Sequence, residues 1–465
     1  MNARAANAVR ERLRDAWRRG ASGLWFPLHE RLKGHDTVRR LRELETTQWW
    51  EAARIEALRA QRLRGLLQDA AASVPYFRDL ARAGGFDWRA VREVADLERL
   101  PFMTKETIRA HVGRLRSEAA KRLHRSNTGG STGEPMVFYL GSERVSHDVA
   151  AKWRATRWWG VDIGDPEIVL WGSPVELGAQ DRVRALRDRL LRSRLLPAFR
   201  MAEADLETYA RTIRRLRPRM LFGYPSALHR LAAFAAAREI PLDGAGVRVV
   251  FTTGERLYDE QRATIAAVFG APVANGYGGR DAGFIAHECP AGGMHVSAED
   301  IIVEVVGPDG RTLPAGRPGE IVVTHLATRA FPFIRYRTGD IGTLDPHPCT
   351  CGRGLPLLRD VQGRSTDFVV AEDGTVMHGL ALIYVIREIR GVRAFKIVQE
   401  SRSAIEVLIE PGPDFADGAR ETIVAGLRKR LGSGVDVRVR TVREIPAEAS
   451  GKFRYVVSHA PEAAR

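Results

Sequence analysis

The pattern of hydrophobic and polar residues divides the chain into three regions. From Leu41 to Val74, apolar side chains recur at spacings of three and four residues, which predicts amphipathic helices in a mainly helical region that ends near residue 120. Between about 120 and 345, short apolar runs alternate with helical patterns, as in α/β proteins. The strands predicted there span residues 166–172, 219–224, 247–254, 271–278, 301–307 and 319–326.

A third region begins near Gly363. Its pattern runs strand, helix, two strands, helix and strand, which is typical of a small α+β domain of about 100 residues. We therefore expect a large α/β domain over residues 1–363 and a small, mobile α+β domain over residues 364–465.

Composition and charge narrow the class of protein. The chain has 465 residues, of which 44% are hydrophobic and 28% charged, as in ordinary globular proteins. The sequence contains no apolar run near the roughly 18 residues that span a bilayer, and its charged N-terminus does not resemble a secretory signal. These features predict a cytoplasmic protein.

The net charge is +15, and only seven of the 72 basic residues are lysine. This bias is compatible with an arginine-rich genome or with a polyanion-binding surface, but no nucleic-acid-binding motif accompanies it, so we expect no nucleic-acid partner. Residues 1–35 interleave arginines with Trp17, Leu24, Trp25, Phe26 and Leu28. Two interpretations of this segment stay open: a basic amphipathic segment on an anionic membrane surface, or a helix packed on the large domain.

The stretch from Ser126 to Pro135 has the composition of a phosphate-binding loop. It contains three glycines and four hydroxyl residues. Backbone N–H groups and hydroxyls can surround phosphate oxygens where glycine avoids Cβ clashes. The stretch is not the GxxxxGK[ST] loop, and an ordinary Gly/Ser turn has the same composition, so its role is open on this stretch alone.

Four further motifs follow in order: Asn275–Asp281 (NGYGGRD), Arg335–Asp340 (RYRTGD), Gly363–Asp367 (GRSTD) and Pro446–Lys452 (PAEASGK). With these five motifs, the chain resembles the adenylate-forming superfamily and, within it, the phenylacetate–CoA ligase family, including its capsular-polysaccharide-associated, CapK-like branch. The likeness is collinear and covers nearly the whole chain from about residue 40.

The resemblance implies ATP as a substrate and assigns roles to the motifs. The loop would hold the β- and γ-phosphates through Thr128, Gly129, Gly130, Ser131, Thr132 and Gly133. Gly254 and Glu255 would line the adenine site, with Tyr277 stacked on the base. Asp281 would help to hold Mg²⁺, which prefers hard oxygen ligands.

The same resemblance gives roles to three residues nearer the C-terminus. Asp340 would accept hydrogen bonds from both ribose hydroxyls, and Arg364 would lie at the domain junction near ribose and phosphate. Lys452 would bridge the attacking carboxylate and the α-phosphate and stabilise the charge that develops there.

Two residues depart from the family pattern. Glu134 stands where many relatives have lysine, which removes a positive charge near the triphosphate. Asp281 stands at a position that is usually glutamate, so its carboxylate reaches one methylene less far towards the metal. Both departures put full catalytic competence in question.

The cysteines predict a metal site. All three lie between Cys289 and Cys351, with Cys349 and Cys351 forming a C-x-C pair. Thiolates together with imidazole suit a structural Zn²⁺. We expect His295 as the fourth ligand, ahead of His287 and His347; the alternative is a set of unliganded thiols.

These residues predict activation of a small-molecule carboxylic acid by ATP, giving acyl-adenylate and pyrophosphate, followed by thioester formation with coenzyme A. Alternatives are transfer to another acceptor in polysaccharide assembly and a catalytically weak scaffold at the membrane. Trp171, Phe222 and Tyr224 are candidates for an aromatic acid pocket, although they could equally belong to the core. A homodimer is one candidate assembly.

Overall fold

The computed structural model describes residues 3–127, 136–171, 182–198, 201, 203–364, 368–374, 376–378, 380–416, 418–445 and 455–460. Two compact units make up the chain. The large unit contains residues 1–338 and 342–361, and the small unit contains residues 339–341 and 362–465. The small unit therefore includes Gly339 and Asp340, the last two residues of the RYRTGD motif, and the residue that follows them.

Helices dominate the first part of the large unit, as the sequence predicts. They are α1 (Ala3–Gly20), a π-helical turn (Ala21–Trp25), α2 (Phe26–Leu32), α3 (Thr37–Thr47), α4 (Ala52–Ser73), α5 (Pro75–Arg82) and α6 (Lys105–His111), with 3₁₀ turns at Trp88–Ala90 and Val94–Arg99. Helix α6 begins at Thr104, whose hydroxyl accepts the backbone N–H of Thr107 while the Thr107 side chain reaches back. This reciprocal capping stabilises the helix start.

Among the described residues, eleven strands form one mixed sheet. It belongs to the large unit except for residues 339–341 and 362–364, which are assigned to the small unit. The strands are β3 (Glu167–Trp171), β4 (Ser193–Pro197), β5 (Met220–Gly223), β6 (Val249–Thr253), β7 (Val273–Gly279), β8 (Gly283–Glu288), β9 (Met294–Val296), β10 (Ile301–Val306), β11 (Gly319–His325), β12 (Phe333–Asp345) and β13 (Leu357–Arg364). Their order across the sheet is β10-β11-β12-β13-β9-β8-β7-β6-β5-β3-β4. A separate antiparallel hairpin pairs β1 (His124–Asn127) with β2 (Val137–Leu140).

The direction of the strands changes at β7. Strands β7, β6, β5, β3 and β4 run parallel, whereas β8 pairs antiparallel with β7 and β9 pairs antiparallel with β8. All six strands predicted from the hydrophobic pattern are confirmed. The parallel strands β3, β5 and β6 are largely apolar and buried, as expected where helices cover both faces of a sheet.

Helices connect and cover the parallel strands. They are α7 (Ser142–Trp158), α8 (Arg182–Leu190), α9 (Glu203–Leu216), α10 (Pro225–Ala237) and α11 (Asp259–Phe269), with a 3₁₀ turn at Asp243–Ala245. One hydrophobic core lies between helices α9, α10 and α11 and the parallel strands. A second core contains residues of helices α4, α5 and α6 and of strands β10, β11 and β12. The α/β fold class predicted from the sequence is confirmed.

The small unit has its own sheet, in the order β18-β17-β16-β19. Its strands are β14 (Phe368–Val370), β15 (Val376–His378), β16 (Val392–Ser401), β17 (Ala404–Pro411), β18 (Asp436–Thr441) and β19 (Val456–Ser458), and its helices are α12 (Leu380–Arg387) and α13 (Ala419–Leu431). Strands β14 and β15 form a hairpin. This unit is α+β, as its hydrophobic pattern predicts.

Candidate active site and metal cluster

Three of the predicted site residues lie at the carboxyl edge of the parallel strands. Gly254 and Glu255 follow β6, and Tyr277 lies near the end of β7. In open α/β sheets, ligands bind at this edge. The structure therefore gathers these residues where the resemblance expects a nucleotide.

Gly254 lies against an aromatic pair. Its φ is +84°, and a Cβ atom there would lie 3.1 Å from the ring of Tyr224 and 3.4 Å from that of Trp171. The rings of Trp171 and Tyr224 stack, with centroids 4.1 Å apart. Glycine is required at this position because its backbone is left-handed and an aromatic wall lies close to its Cα.

Glu255 fixes the start of a neighbouring helix. Its Oε2 accepts the backbone N–H of Ser226 at 3.1 Å, at the first turn of α10. A carboxylate at a helix N-terminus satisfies a donor that has no intrahelical acceptor. The adenine-lining residue expected from the resemblance therefore also orders the edge of the site.

Asp281 lies in the turn between β7 and β8 and is 9% exposed. The hydroxyl of Tyr336 donates to its Oδ2 at 2.7 Å, and the backbone N–H of Ala282 donates to its Oδ1 at 3.0 Å. Two donors on the two oxygens fix the carboxylate plane. A carboxylate oriented in this way is a suitable hard ligand for Mg²⁺.

Arg144 holds the main chain of the same turn. Its guanidinium donates to the carbonyl of Asp281 at 3.0 Å and to that of Arg280 at 3.3 Å. Its Nε donates to Oδ2 of Asp148 at 2.9 Å, and its side chain is 1% exposed. Sequence reasoning missed both Arg144 and Tyr336 as site residues, although Tyr336 lies within the RYRTGD motif.

Arg144 belongs to a buried group that also contains His147, Asp148 and His325, here named the Asp148 cluster. Burial alone would raise the pKa of Asp148, but Arg144 and the two histidines hold it well below its usual range. Burial, together with the nearby charge of Arg144, lowers the pKa of His325 to about 3, so this imidazole is neutral at pH 7. The cluster thus holds an ionised carboxylate directly under the Asp281 turn.

The tautomer of His325 follows from its hydrogen bonds. Its Nδ1 accepts the backbone N–H of Ala327 at 3.2 Å, which requires a lone pair on Nδ1. In a neutral imidazole the proton is then on Nε2, and this nitrogen lies 3.8 Å from Oδ1 of Asp148. A Cβ atom on Gly283 would lie 2.9 Å from Arg144 and 3.0 Å from Asp148, so glycine is needed for β8 to pass this cluster.

The three cysteines and His295 form a second group, named the cysteine cluster. The Sγ atoms of Cys289 and Cys349 lie 3.7 Å apart, and Nε2 of His295 lies 3.2 Å from Sγ of Cys351. All four ligating atoms lie within 4.8 Å of one another. In a tetrahedral zinc site with Zn–S bonds of about 2.3 Å, two sulfurs lie about 3.8 Å apart, which matches this spacing.

The protonation of the cysteine cluster also suits a metal. Nδ1 of His295 donates to the carbonyl of Leu355 at 3.3 Å, which leaves the lone pair on Nε2 facing Cys351. Burial lowers the pKa of His295 to about 4, so the ring is neutral. Metal-bound histidines commonly donate their second N–H in this way.

The other two candidate ligands lie outside this group. His287 is buried and stacks on Phe284 at 5.3 Å, and neither of its ring nitrogens has a hydrogen-bond partner among the described residues. His347 is exposed. The geometry supports His295 as the fourth member.

The remaining predicted residues are divided between the small unit and the part of the chain outside the described residues. Asp340 lies in β12 and belongs to the small unit. Arg364 ends β13, and its side chain lies outside the described residues. The loop residues Thr128 to Gly133 and Lys452 also lie outside them, so their predicted roles stay predictions.

Comparisons with known proteins define the family. Residues 127–327 match the AMP-binding enzyme family, and residues 369–459 match the CapK C-terminal domain. Protein CapK of Staphylococcus aureus is 24% identical over 370 residues, which cover 79% of this chain and 81% of that protein. The phenylacetate-coenzyme A ligase of Escherichia coli (strain K12) is 29% identical over 336 residues, which cover 68% and 72% of the two chains.

Solved structures agree with the fold. A 2-hydroxyisobutyryl-CoA ligase in the postadenylation state has a TM-score of 0.72 at 21% identity, covering 89% of this chain and 91% of that chain. The match over residues 127–327, together with this fold, supports an AMP-binding enzyme of the adenylate-forming superfamily. Within it, the matches support a place in the phenylacetate–CoA ligase family, in the branch that includes CapK.

Proposed function

We propose that this enzyme is an AMP-forming acid–CoA ligase that activates a small carboxylic acid with ATP. A carboxylate oxygen attacks the α-phosphorus, the bond to the bridging oxygen breaks, and pyrophosphate leaves. The thiol of coenzyme A then attacks the acyl carbon, AMP leaves, and the thiol proton is released. The observation that carries the proposal is the carboxylate of Asp281, fixed by Tyr336 at the carboxyl edge of the parallel strands.

Asp281 would hold Mg²⁺ beside the α-phosphate. The bound ion would neutralise charge on the phosphate oxygens as pyrophosphate leaves. Tyr336 and Ala282 each donate to one carboxylate oxygen, which orients the carboxylate as a ligand. Arg144 holds the carbonyls of Arg280 and Asp281, which ties this turn to helix α7.

The nucleotide would be held by residues from several of the motifs. The loop Thr128–Gly133 would surround the terminal phosphates, with Gly254, Glu255 and Tyr277 around adenine. Asp340 would bind the ribose hydroxyls, and Arg364 would lie near ribose and phosphate. These roles rest on the family membership and on the position of the motifs along the chain.

The acid would lie against the aromatic wall beside Gly254. Trp171 is half-buried at the carboxyl end of β3, and it stacks on Tyr224 and approaches Phe222 at 5.9 Å. Phe222 in turn stacks on Phe251 at 5.8 Å, which places it in the core. We propose a flat, apolar acyl group for the substrate, with the half-buried Trp171 as its contact and the buried Tyr224 stacked behind it.

A structural Zn²⁺ would be bound by the cysteine cluster. Three thiolates and one imidazole fill a tetrahedral site and leave no open position for water, so the ion would have no catalytic role. Burial raises the pKa of Cys289 to about 11, so without a metal this thiol would keep its proton at pH 7. Metal binding would displace that proton and join β8 and β9 to the loop before β13.

One panel tests the reaction. Pyrophosphate release is measured with aryl, branched and straight-chain acids, with and without coenzyme A. We expect acid-dependent release, with an acyl-CoA product when coenzyme A is present. Pyrophosphate release without an acyl-CoA product, together with transfer of the acyl group to a hydroxyl or amine, would instead favour an acceptor other than coenzyme A. No release with any acid would favour a scaffold role.

Lys452→Ala tests the adenylation step. We expect acid-dependent ATP–pyrophosphate exchange to fall on the order of 100-fold or more, because the donor that stabilises developing charge is lost. Lys429→Ala, a lysine in the last turn of α13, is the matched control and should keep its exchange rate. A folded Lys452→Ala protein with normal exchange would contradict the assigned role.

Asp340→Ala tests the ribose contact. A ribose diol without its acceptor loses charge-assisted hydrogen bonds worth about 1.5 to 3 kcal/mol each, so the KM for ATP should rise. Asp345→Ala, later in the same strand β12, serves as the control. Unchanged nucleotide affinity in calorimetry would mean that the RYRTGD motif is a structural turn.

A further inference from the structure

The N-terminal helix is attached to the large unit along one side. Helices α1 and α2 are continuous through the π-helical turn, since Gly20, Trp25 and Phe26 all have right-handed helical backbone angles. Pro27 lacks an N–H and cannot continue a regular α-helical ladder, which accounts for the wider turn before it. Residues 3–32 therefore form a single long element, named here the N-terminal helix.

Three contacts fix this helix to the large unit. Phe26 is 3% exposed and packs with Leu41 and residues of α7. Ala21 is fully buried, close to Gly164. The indole N–H of Trp17 donates to the carbonyl of Leu190 at 3.1 Å. The helix is thus packed on the domain, which was one of the two interpretations open from the sequence.

Much of the remaining helix surface carries exposed apolar side chains. Of the nine large hydrophobic side chains that are exposed in the described part of the chain, six lie between residues 13 and 32: Leu13, Trp17, Leu24, Trp25, Leu28 and Leu32. Leu24, Leu28 and Leu32 follow one another at four-residue spacing, so they share one face of the helix. Such a concentration of exposed apolar side chains marks an interaction surface rather than scattered surface residues.

Basic side chains surround this apolar surface. Residues 1–35 contain eight basic and three acidic residues. Arg12, Arg19, Arg31 and Lys33 are exposed, whereas Glu30 is buried and hydrogen-bonded to Thr37 and His35. Asp15 is the one exposed acidic residue between 12 and 33, and it pairs with Arg18 at 3.4 Å. The solvent-facing charge of the segment is therefore strongly positive.

We propose that the N-terminal helix binds the surface of a membrane that contains anionic lipids. Leucines and tryptophans enter the interfacial layer, and arginines and Lys33 contact the lipid headgroups. The helix would lie in the plane of the membrane: among the helices that the structure describes, none has the length and apolar character needed to cross a bilayer. Charge complementarity selects this partner over an uncharged apolar surface. The proposal does not depend on the reaction catalysed.

Vesicle co-sedimentation of the full-length protein tests this surface. Vesicles of phosphatidylcholine alone are compared with vesicles that contain phosphatidylglycerol as well. We expect binding at least about tenfold stronger to the anionic vesicles, and weaker binding at high salt. Equal recovery with both vesicle types, or no binding to either, would overturn the proposal.

Two variants separate the apolar and the charged contributions. Leu24→Ser with Leu28→Ser should lower binding to anionic vesicles by about tenfold or more, because two apolar contacts are lost. Arg19→Gln with Arg31→Gln should lower binding to anionic vesicles and leave the weak binding to neutral vesicles unchanged. Leu216→Ser, an exposed leucine at the end of α9 with 37% exposure, is the matched control and should bind like the wild type.

Oligomeric state and activity are measured in parallel. A wild-type dimer that dissociates in the Leu24→Ser, Leu28→Ser variant, with no vesicle binding by either protein, would assign the surface to a second copy of the chain and overturn the proposal. Acid-dependent pyrophosphate release should be the same in the wild type and all of these variants in the absence of vesicles. A membrane-binding protein without such release would refute the proposed reaction and leave the membrane surface intact.

Discussion

The large unit contains two clusters with histidines, and they differ in the hydrogen bond that Nδ1 of one histidine makes with the backbone. In the cysteine cluster, Nδ1 of His295 donates to the carbonyl of Leu355, so Nε2 presents a lone pair to Cys351. In the Asp148 cluster, Nδ1 of His325 accepts the N–H of Ala327, so Nε2 carries a proton towards Asp148. The first arrangement suits a metal ion, and the second suits an ionised carboxylate.

Distance alone would not distinguish these two groups. The ligating atoms of His147, Asp148 and His325 lie within 4.8 Å of one another, as do those of the cysteine cluster. The difference lies at the far ring nitrogen, where a backbone carbonyl and a backbone N–H impose opposite tautomers. The backbone around a histidine therefore indicates whether it can serve as a ligand.

Removal of the metal from the cysteine cluster should produce the largest effect. We expect Cys349→Ser to lose the bound zinc and to lower the free energy of unfolding by more than about 5 kcal/mol, because metal binding is coupled to folding. Chelation of the wild type should lower the melting temperature and the activity together, and added Mg²⁺ should restore neither. Elemental analysis of protein purified without chelators measures the zinc.

His347→Ala is the matched control for the metal. This histidine is exposed in the same loop as Cys349, so its loss should change neither zinc content nor stability. A zinc content near zero in the wild type would contradict the assignment, as would unchanged metal content in Cys349→Ser. The two clusters would then share a purely structural role.

Disruption of the Asp148 cluster should give the next largest effect, without any change in zinc content. Asp148→Asn leaves the guanidinium of Arg144 buried with no ionised partner in this cluster, which should destabilise the fold by about 3 to 5 kcal/mol. The Asp281 turn should also shift, because Arg144 holds its carbonyls, and adenylation should fall roughly tenfold. Chemical denaturation and pyrophosphate exchange measure the two effects.

Asp69→Asn is the control for this change. Asp69 is exposed and pairs with Arg329 at 2.7 Å, so the same substitution there should alter stability by no more than about 1 kcal/mol. If Asp148→Asn is equally harmless, the cluster does not hold the turn. If it instead abolishes zinc binding, the two clusters are not independent.

The sequence predicted the elements of the site better than their connections. The strands before Gly254 and around Tyr277 begin with apolar residues, VVF in β6 and VA in β7, and this pattern was sufficient to locate them. Strands β8 and β9 were not predicted, because they are short and their histidines and glycines break the alternation of apolar residues. Their return from β7 brings Cys289 and His295 together with the C-x-C pair.

Buried charges were the other feature that the sequence could not reveal. Arg144 and Asp148 lie more than 130 residues from Asp281 along the chain, and an arginine on a helix ordinarily indicates a solvated face. The side chain of Arg144 can be buried because the fold brings the carbonyls of Arg280 and Asp281 within hydrogen-bonding distance of it. Cysteines are rare in this chain, so the metal ligands stood out by type, whereas Arg144 was one of many arginines.

The smallest expected effect is a change in the pH dependence of stability on replacement of His325. Its pKa is about 3 in the folded protein, where Arg144, His147 and Asp148 surround it, and about 6.5 in an unfolded chain. Between these values only the unfolded state binds the proton, so the wild type loses about 1.4 kcal/mol of stability for each unit by which the pH falls.

His325→Gln keeps a donor for Asp148 and His325→Asn keeps an acceptor for Ala327, but neither side chain titrates. Both variants should therefore lose this part of the slope between pH 6.5 and 4, whatever their stability at pH 7, and the exposed His124→Gln control should keep the wild-type slope. Denaturant titrations between pH 6.5 and 4 measure the slope of the free energy of unfolding against pH. A wild-type slope in both variants would mean that His325 is charged in the folded protein. The two clusters would then not differ in the way argued above.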